Sequence, residues 1–476
     1  RERECHGMGG SGSKRPKVNL GHVEFTVERV LGRGAFGKVH CIMGTKANKN
    51  ASFAMKVMDK LEITSRGEKI VRTTMREREL LARLDNPFIV NIWGSIQDDE
   101  NLYLILDLML GGELDFYLKT NPKGFEESLV KFYAANLLLA LEYLHEKRVI
   151  HRDLKPENIL LDEKGYANLT DFNVAIQIPD GEEHVTGFSG TRPYIAPEVY
   201  RKEPYGVSSD LWGLGVVLYE LLVGQLPWGQ KTGSDTVQWL KNFDEDECSP
   251  HNKNIDVQHE GLRKMIKLIL REKVHFPSSM SQGAKSFLGG LLSPVDSRAT
   301  IADCMKHEWL EGVDFEQLRK KEMKPPILPR SDRANIDKSM GLVEFMMDEE
   351  DKKMKKRKLS ESEQDSFKGW DFLSEKFHLR FPPPPEGEEV PAGNPTGTSR
   401  KDKRKSKKMS KKLKDSTSSH SSSNIVLDEG GPEAKGAGGE AGAANAEDDQ
   451  AAEVAEDGEV KKKKKKDKKK KKSGGD

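Results

Sequence analysis

Along residues 25–310 the spacing of apolar positions changes character. "FTVERVLGRG" (25–34), "KVHCIM" (38–43), "FAMKVM" (53–58) and "LYLILDLM" (102–109) are short runs bounded by turn formers, which predicts strands. "SLVKFYAANLLLALEYLHEKR" (128–148) and "DLWGLGVVLYELLVG" (210–224) carry apolar residues at helical spacing and predict buried helices. A strand-rich first part followed by a helix-rich second part argues for an α+β protein of two lobes, about 25–106 and about 111–310. The polar stretch "FDEDECSPHNKNIDVQHE" reads as a surface insertion covering about 230–260. Residues 1–24 read as a flexible leader, 311–375 as a C-terminal extension, and 376–476 as a disordered, charged, low-complexity tail.

Composition sharpens that division. The chain has 476 residues, with a hydrophobic fraction of 35% and a charged fraction of 33%, which is polar for a wholly globular protein. A formal net charge of +1 conceals blocks: residues 400–414 hold ten Lys/Arg against one Asp, 428–459 hold eleven Asp/Glu against Lys435, and 461–476 hold eleven Lys against two Asp. Cys5, Cys41, Cys248 and Cys304 are scattered without a CxxC pair, so neither a zinc site nor a disulfide framework is indicated, and a reducing, cytoplasmic setting is expected. No apolar run approaches the length of a membrane span.

The candidate chemistry lies in a series of motifs. Gly32, Gly34 and Gly37 in "LGRGAFGKV" form G-x-G-x-x-G, which lets backbone amides approach phosphates. A strand rather than a helix follows the third glycine, which argues against a dinucleotide-binding unit. Lys56 ends a strand and Glu77, in the helix-like "TTMREREL", is placed to pair with it. "VIHRDLKPENIL" supplies Asp153, suited to orient an attacking hydroxyl, and Asn158, whose amide oxygen can ligate a metal. Asp171 in "TDFNVA" adds a carboxylate. Few hard oxygen ligands suit Mg²⁺ held mainly by substrate phosphates.

Together these motifs resemble the protein-kinase signatures, and the later landmarks follow in order: "APE" at Ala196–Glu198, Asp210 in "SSDLWGLGVV", and Arg298 in "SPVDSRAT". The resemblance implies a bilobal kinase fold, with a small antiparallel-sheet lobe carrying one key helix and a large helical lobe, and the substrate ATP with Mg²⁺ between them. It implies a nucleotide pocket lined by Leu31, Val39 and Ala54, with Leu106 behind it, backbone contacts at Asp107 to Met109, and Glu113 at its edge. It further implies metal binding by Asn158 and Asp171, a Lys155 beside the transferred group, and a salt bridge from Arg298 to Glu198. Lys155 and Thr191 ("SGTRPY") are similar to those of serine/threonine kinases, and "FEQLRKKEMKPPILP" is similar to an AGC-group tail. "NPFIVNIW", "LDLMLGGEL", "TDFNVA" and "GTRPYIAPE" resemble the YANK kinases. The competing reading is a pseudokinase or ATP-binding scaffold. It is disfavoured because Lys56, Asp153 and Asp171 are all present.

Departures from the pattern bear on control. Asn173 stands where the third residue of the metal-binding triplet is ordinarily glycine. It reads as the non-glycine residue best able to take unusual dihedrals and as a stiffener of that turn. Arg152 is placed to receive a phosphorylated activation-loop residue, but Gly187 occupies the AGC acceptor position, leaving Thr186 and Ser189 as neighbours. "FKGWDF" resembles the AGC hydrophobic motif, with Phe367, Trp370 and Phe372 as anchors and Asp371 at the phosphoacceptor position. Glu113 and Glu157 resemble acidic positions that contact basic substrate residues in AGC kinases, whereas Arg192, next to Thr191, points to acidic or phosphorylated neighbours, so both preferences stay open.

The expected partners are protein Ser/Thr substrates, with the chain a monomer. The first methionine, Met8, is the expected start and opens "MGGSGSK", a myristoylation pattern with Gly9 as acceptor. One acyl chain gives marginal membrane binding, and the Lys-rich runs supply a second signal for an anionic membrane surface. The same runs also suit nuclear import. They carry no interleaved aromatics, so specific nucleic-acid recognition is not expected. Translation from Met8 beside an N-myristoyltransferase is expected to yield acylated Gly9 by intact-mass spectrometry. An unmodified Gly9 with diffuse localisation in cells would overturn the membrane reading.

Overall fold

The strand-like runs of the first hundred residues pair into one antiparallel sheet. In this computed structural model, which describes residues 15–34, 37–45, 48, 51–228, 260–271, 274–329 and 357–383, the sheet begins with β1 (Lys17–Leu20), β2 (Val23–Gly34), β3 (Gly37–Gly44) and β4 (Ser52–Asp59). Two helices follow, α1 (Lys60–Ser65) and α2 (Glu68–Leu81), then β5 (Ile92–Gln97) and β6 (Asn101–Leu106), which enter the order β1-β2-β3-β4-β6-β5. Asp59 starts α1 by accepting the Leu61 and Glu62 amides at 2.8 and 3.1 Å, a side-chain N-cap. Helix α2 turns Val71, Thr74, Glu77 and Leu81 inward, so its buried face carries a carboxylate among apolar groups.

The second lobe is mostly helical. Strand β7 (Gly112–Glu113) and helices α3 (Leu114–Thr120) and α4 (Glu127–Glu146) lead into β8 (Val149–Ile150), β9 (Ile159–Leu161), β10 (Ala167–Leu169) and β11 (Ile176–Gln177). Helices α5 (Pro197–Tyr200), α6 (Ser208–Val223), α7 (Glu260–Leu270), α8 (Gln282–Leu291), α9 (Ile301–Lys306) and α10 (Phe315–Arg319) complete it. Both helices expected to be buried are: α4 buries residues from Val130 to Leu144 on most sides, and α6 does so from Ser209 to Leu221. A helix apolar around most of its circumference has to sit inside the fold. Trp212 of α6 stacks on Trp228 at 5.8 Å in a second core beneath the activation segment.

The C-terminal extension returns along both lobes. Arg319 bonds Glu142 at 2.6 Å, Lys321 bonds Asp162 at 2.8 Å, and the Tyr166 hydroxyl donates to the Met323 carbonyl. After the segment 330–356 come α11 (Glu361–Asp365), β12 (Phe372–Leu373) and α12 (Glu375–Arg380). Strand β12 pairs antiparallel with β5 and becomes the seventh strand of the sheet. Phe367 and Trp370 are each 0% exposed and join the main core with Ile63 of α1 and Val71 of α2. The Trp370 indole donates to Ile96 O at 3.0 Å, which satisfies its N–H inside the core. Asp371 is exposed and accepts from Gln97 Nε2 at 3.0 Å. Buried Lys60 lies 5.3 Å from the Phe367 ring and donates to Gln364 at 2.8 Å.

Two boundaries differ from the sequence reading. Residues 1–24 are not flexible throughout, because Val18 and Leu20 are buried and Lys17–Leu20 pairs with Val23–Thr26. Nor does the disordered tail begin at 376: α12 is helical, and Phe377 and Phe381 are buried. In both places a few aromatic or branched residues outweigh the polar composition around them. Gly9, the 230–259 part of the insertion, and both Lys-rich runs lie outside the described residues.

Truncating the buried anchor tests how far the small lobe leans on its tail. Trp370→Ala is expected to destabilise the folded unit by roughly 3–5 kcal/mol, measured by denaturant unfolding. A loss comparable with that of an exposed substitution would refute the docking.

Candidate active site

The cleft is assembled by pairing across the sheet and by two tight loops below it. Antiparallel registers set Gly32 opposite Val39, Val39 opposite Lys56, and Ala54 opposite Leu106. That brings the glycine turn, the strand lysine and the start of the interlobe connection onto one surface, with Leu31 just before the turn. Asp107 follows Leu106. Its amide donates to Asn91 O at 3.0 Å, so the backbone group it leaves for a ligand is the carbonyl oxygen. The Asp107 carboxylate faces the small lobe, accepting from the Asn91 amides and from Trp93 Nε1 at 2.6 Å. Met109 is half-buried on the same connection, and its carbonyl accepts from the Gly112 amide.

Lys56 Nζ bonds Glu77 Oε1 at 2.9 Å and lies 3.8 Å from Asp171 Oδ1. Burial works against the ammonium charge, but Glu77 and then Asp171 more than offset it, and the Lys56 pKa is raised. Asp153 is the hub of the lower half. Its Oδ1 accepts from Thr191 Oγ1 at 2.6 Å and from the Thr191 amide at 2.8 Å. Its Oδ2 accepts from Lys155 Nζ at 2.8 Å and Asn158 Nδ2 at 2.9 Å, and Lys155 also donates to Thr191 Oγ1 at 2.9 Å. Burial alone would raise the Asp153 pKa. Lys155, Thr191 and His151 reverse that, and it is lowered. Both donor contacts of the Asn158 amide go to Asp153, so its oxygen points away from that residue.

The loops are held by a second buried carboxylate. Asp210 accepts the His151 and Arg152 amides, each at 2.8 Å, and His145 Nε2 lies at 3.1 Å. Arg152 thereby takes a left-handed φ of 66°, and Asp171 one of 64°. Gly190 has φ +106°, and a Cβ there would lie 2.3 Å from Arg152 O, so the segment bearing Thr191 can close on the loop only with glycine at this point. The strained residue of the "DFN" triplet is therefore Asp171. Asn173 is not among the positive-φ residues, so unusual dihedrals do not account for it, and its buried Oδ1 has no hydrogen-bond partner.

The activation segment departs from its sequence-based picture as well. Arg152 donates to Val174 O at 2.6 Å and to the Tyr205 hydroxyl at 3.1 Å. Thr186 is exposed, and neither it nor Ser189 is among those partners, although Ser189 and Arg152 line one cavity beneath the segment. Arg148, passed over in the sequence, donates to the Pro179 and Glu182 carbonyls. Farther along, Glu198 and Arg298 form a buried bidentate pair at 2.6 and 3.0 Å, as the resemblance implied.

An acidic group lies around Tyr194. Partial desolvation, then Asp115 and Glu157, raise the Glu113 pKa. Tyr194 donates to Glu220 Oε2 at 2.6 Å, and its hydroxyl pKa is pushed up by desolvation, by Glu220 and, more weakly, by Glu157 and Asp115. Glu220 and Asp115 escaped the sequence reading because each sits in a helix whose composition gives no reason to single it out. Arg192 is exposed, with its carbonyl accepting from the Tyr200 hydroxyl.

A small antiparallel sheet above a helical lobe, with a Lys–Glu pair over an Asp–Lys–Asn loop, defines a phosphoryl-transfer enzyme of the protein-kinase class. The protein kinase domain model matches residues 25–310, and the chain belongs to that family. It is 34% identical over 369 residues to human serine/threonine-protein kinase 32B, covering 75% of this chain and 81% of that one. It is 34% identical to the RAC family serine/threonine-protein kinase homolog of Dictyostelium discoideum, covering 78% of this chain and 77% of the relative. Against the cAMP-dependent protein kinase catalytic subunit of Arthrobotrys oligospora it is 35% identical over 64% of this chain and 53% of the relative. The chain is thus a serine/threonine protein kinase with AGC-type relatives, among them the YANK kinases, and its substrates are ATP and proteins.

The charge around Asp153 gives a pH test. Lys155 is the largest influence holding its pKa down, so Lys155→Met is expected to raise that pKa. The acidic limb of the activity profile should then move to higher pH, beyond any fall in kcat. An unmoved limb would show that Lys155 does not set the Asp153 charge.

Proposed function

We propose that this kinase transfers the γ-phosphoryl group of ATP to Ser or Thr hydroxyls in basic protein segments. The observation that carries the reading is the Asp153 carboxylate, fixed through both oxygens by Thr191, Lys155 and Asn158. So fixed, it accepts the substrate hydroxyl's hydrogen bond and aligns that oxygen for in-line attack. Its lowered pKa keeps it ionised, and it takes the proton late, as a loose transition state allows. The Glu77-held Lys56 binds phosphate oxygens, and Lys155 offsets charge on the group in flight.

The residues present fit Mg²⁺. Asp171 offers a half-exposed carboxylate beside Lys56, and the Asn158 amide oxygen is turned away from Asp153. Bound there, the ion neutralises phosphate charge. In this reading the glycine turn at Gly32, Gly34 and Gly37 covers the phosphates. Leu31, Val39, Ala54 and Leu106 form the apolar walls, and Asp107 to Met109 take the adenine edge.

Glu113, Asp115, Glu157 and Glu220 outweigh Arg192 and favour a basic substrate. Asp371 takes the place of a phosphorylated residue in the tail, supported by its contact with Gln97, and Phe372 continues the docking as a strand. Arg152 is already engaged by Val174 O and the Tyr205 hydroxyl, which supports an activation segment held by contacts of its own. Peripheral membrane association through Gly9 and the Lys-rich runs is the proposed location.

Mg²⁺-dependent transfer of labelled phosphate to a mixed Ser/Thr peptide library tests the reading. Asp153→Asn is expected to lower kcat by about 10²–10⁴-fold. Glu157→Gln is expected to raise KM for basic peptides about tenfold, leaving KM for ATP unchanged. A preference for acidic peptides would shift the assignment to Arg192.

A further inference from the structure

The residues after the hydrophobic motif have no part in the reading above, yet they pack as tightly as the motif itself. In "LSEKFHLRF" (373–381) Phe377 and Phe381 stand one helical turn apart and so share a face. They are buried at 0% and 5% exposure, whereas Leu379 on the opposite face is 77% exposed. Their rings complete an aromatic layer with Phe25 and Phe53 on the side of the sheet away from α2: Phe381 lies 6.2 Å from Phe25 and 6.3 Å from Phe53. Ser374 anchors the start of α12, its amide and hydroxyl both donating to Trp93 O at 3.0 and 2.9 Å. Gly94 leaves no room for a side chain here, since a Cβ would lie 2.9 Å from both Phe372 O and Leu373 Cδ2.

Trp93 is where this segment reaches the nucleotide site. The register of β5 against β6 shifts between Ile92 and Gly94, making Trp93 the bulged residue, and a bulge re-aims a side chain. Its ring is held by Lys376 Nζ at 4.9 Å, the Arg380 guanidinium at 5.3 Å and Phe53 at 5.0 Å. Its indole N–H donates to Asp107 Oδ1 at 2.6 Å, while Asn91 takes Oδ2. Asp107 is the first residue of the connection whose backbone meets the adenine in the function proposed above, on which this inference rests. We propose that residues 373–381 act as a latch that fixes this connection through Trp93, making Trp93 a positioning residue for the nucleotide. The latch goes beyond the phosphoryl-transfer reading and uses the kinase's own chain as its effector.

The test uses the full chain in three forms, Trp93→Phe, Phe377→Ala/Phe381→Ala, and the two combined. Trp93→Phe keeps a ring for Lys376 and Arg380 and removes only the N–H. Affinity for Mg-ATP is read by displacement of a fluorescent nucleotide, beside KM for ATP, KM for peptide and kcat. The expected result is about a fivefold loss of ATP affinity in either variant, with kcat and peptide KM within about twofold, the signature of lost ground-state binding. The combined form should be no worse than either alone, because both act through one contact. Phe377→Leu/Phe381→Leu should restore affinity by keeping the apolar face. A silent Trp93→Phe, or losses that multiply in the combined form, would overturn the latch whether or not the alanine variant folds. Because nucleotide affinity is read without transfer, a chain that bound ATP but transferred nothing would count against the proposed function and not against this inference.

Discussion

The Lys56–Glu77 ion pair is the contact on which the rest of the small lobe depends. It joins a strand to a helix within the small lobe, and a charge pair this deeply buried survives only when both sides are held in register. Helix α2 contributes one carboxylate on an apolar face, so whatever presses α2 onto the sheet also makes Lys56 competent. Phe367 and Trp370 share the core with Val71 and Leu81 of α2. The tail is thus part of the lobe's interior, and the sheet's edge strand is the chain's own β12.

The lower lobe solves a related problem with Asp210. Two successive amides, those of His151 and Arg152, point at one buried carboxylate, and the left-handed turn this requires sets Asp153 facing Thr191. Burial would raise the Asp210 pKa, but His145, through its hydrogen bond and charge, and then His151, through its charge and amide, hold it lowered. The Glu198–Arg298 pair performs the same service one layer down, tying the end of the activation segment to the segment between α8 and α9. Each anion is fully engaged by donors, which is why the loops between these points can hold fixed shapes without regular structure.

Departures from the usual kinase pattern fall where regulation ordinarily acts, at Gly187, Asp371 and Asn173. The first two belong together. At the segment Arg152 holds Val174 O and the Tyr205 hydroxyl, and at the tail the Asp371 carboxylate accepts from Gln97. Asn173 is different: its φ is ordinary, and the geometry gives no reason for its choice over glycine.

The sequence by itself determined the lobes, the buried helices and the polar residues that gather in the cleft, because those depend on local period and on motifs of fixed spacing. Lys56, Glu77, Asp153, Asn158, Asp171 and Thr191 were all legible, although 135 positions separate Lys56 from Thr191. What only the tertiary structure decided is who else arrives. Glu220 reaches Tyr194 from the far side of α6, Trp93 is turned to Asp107 by a bulge, and Phe377 and Phe381 leave a polar tail to close the sheet's outer face. None of these follows from spacing, since each contact is set by how the elements pack and pair. The expected dihedral strain at Asn173 failed for the same reason. A triplet names the turn but not which of its three residues takes the left-handed φ, and that residue is Asp171.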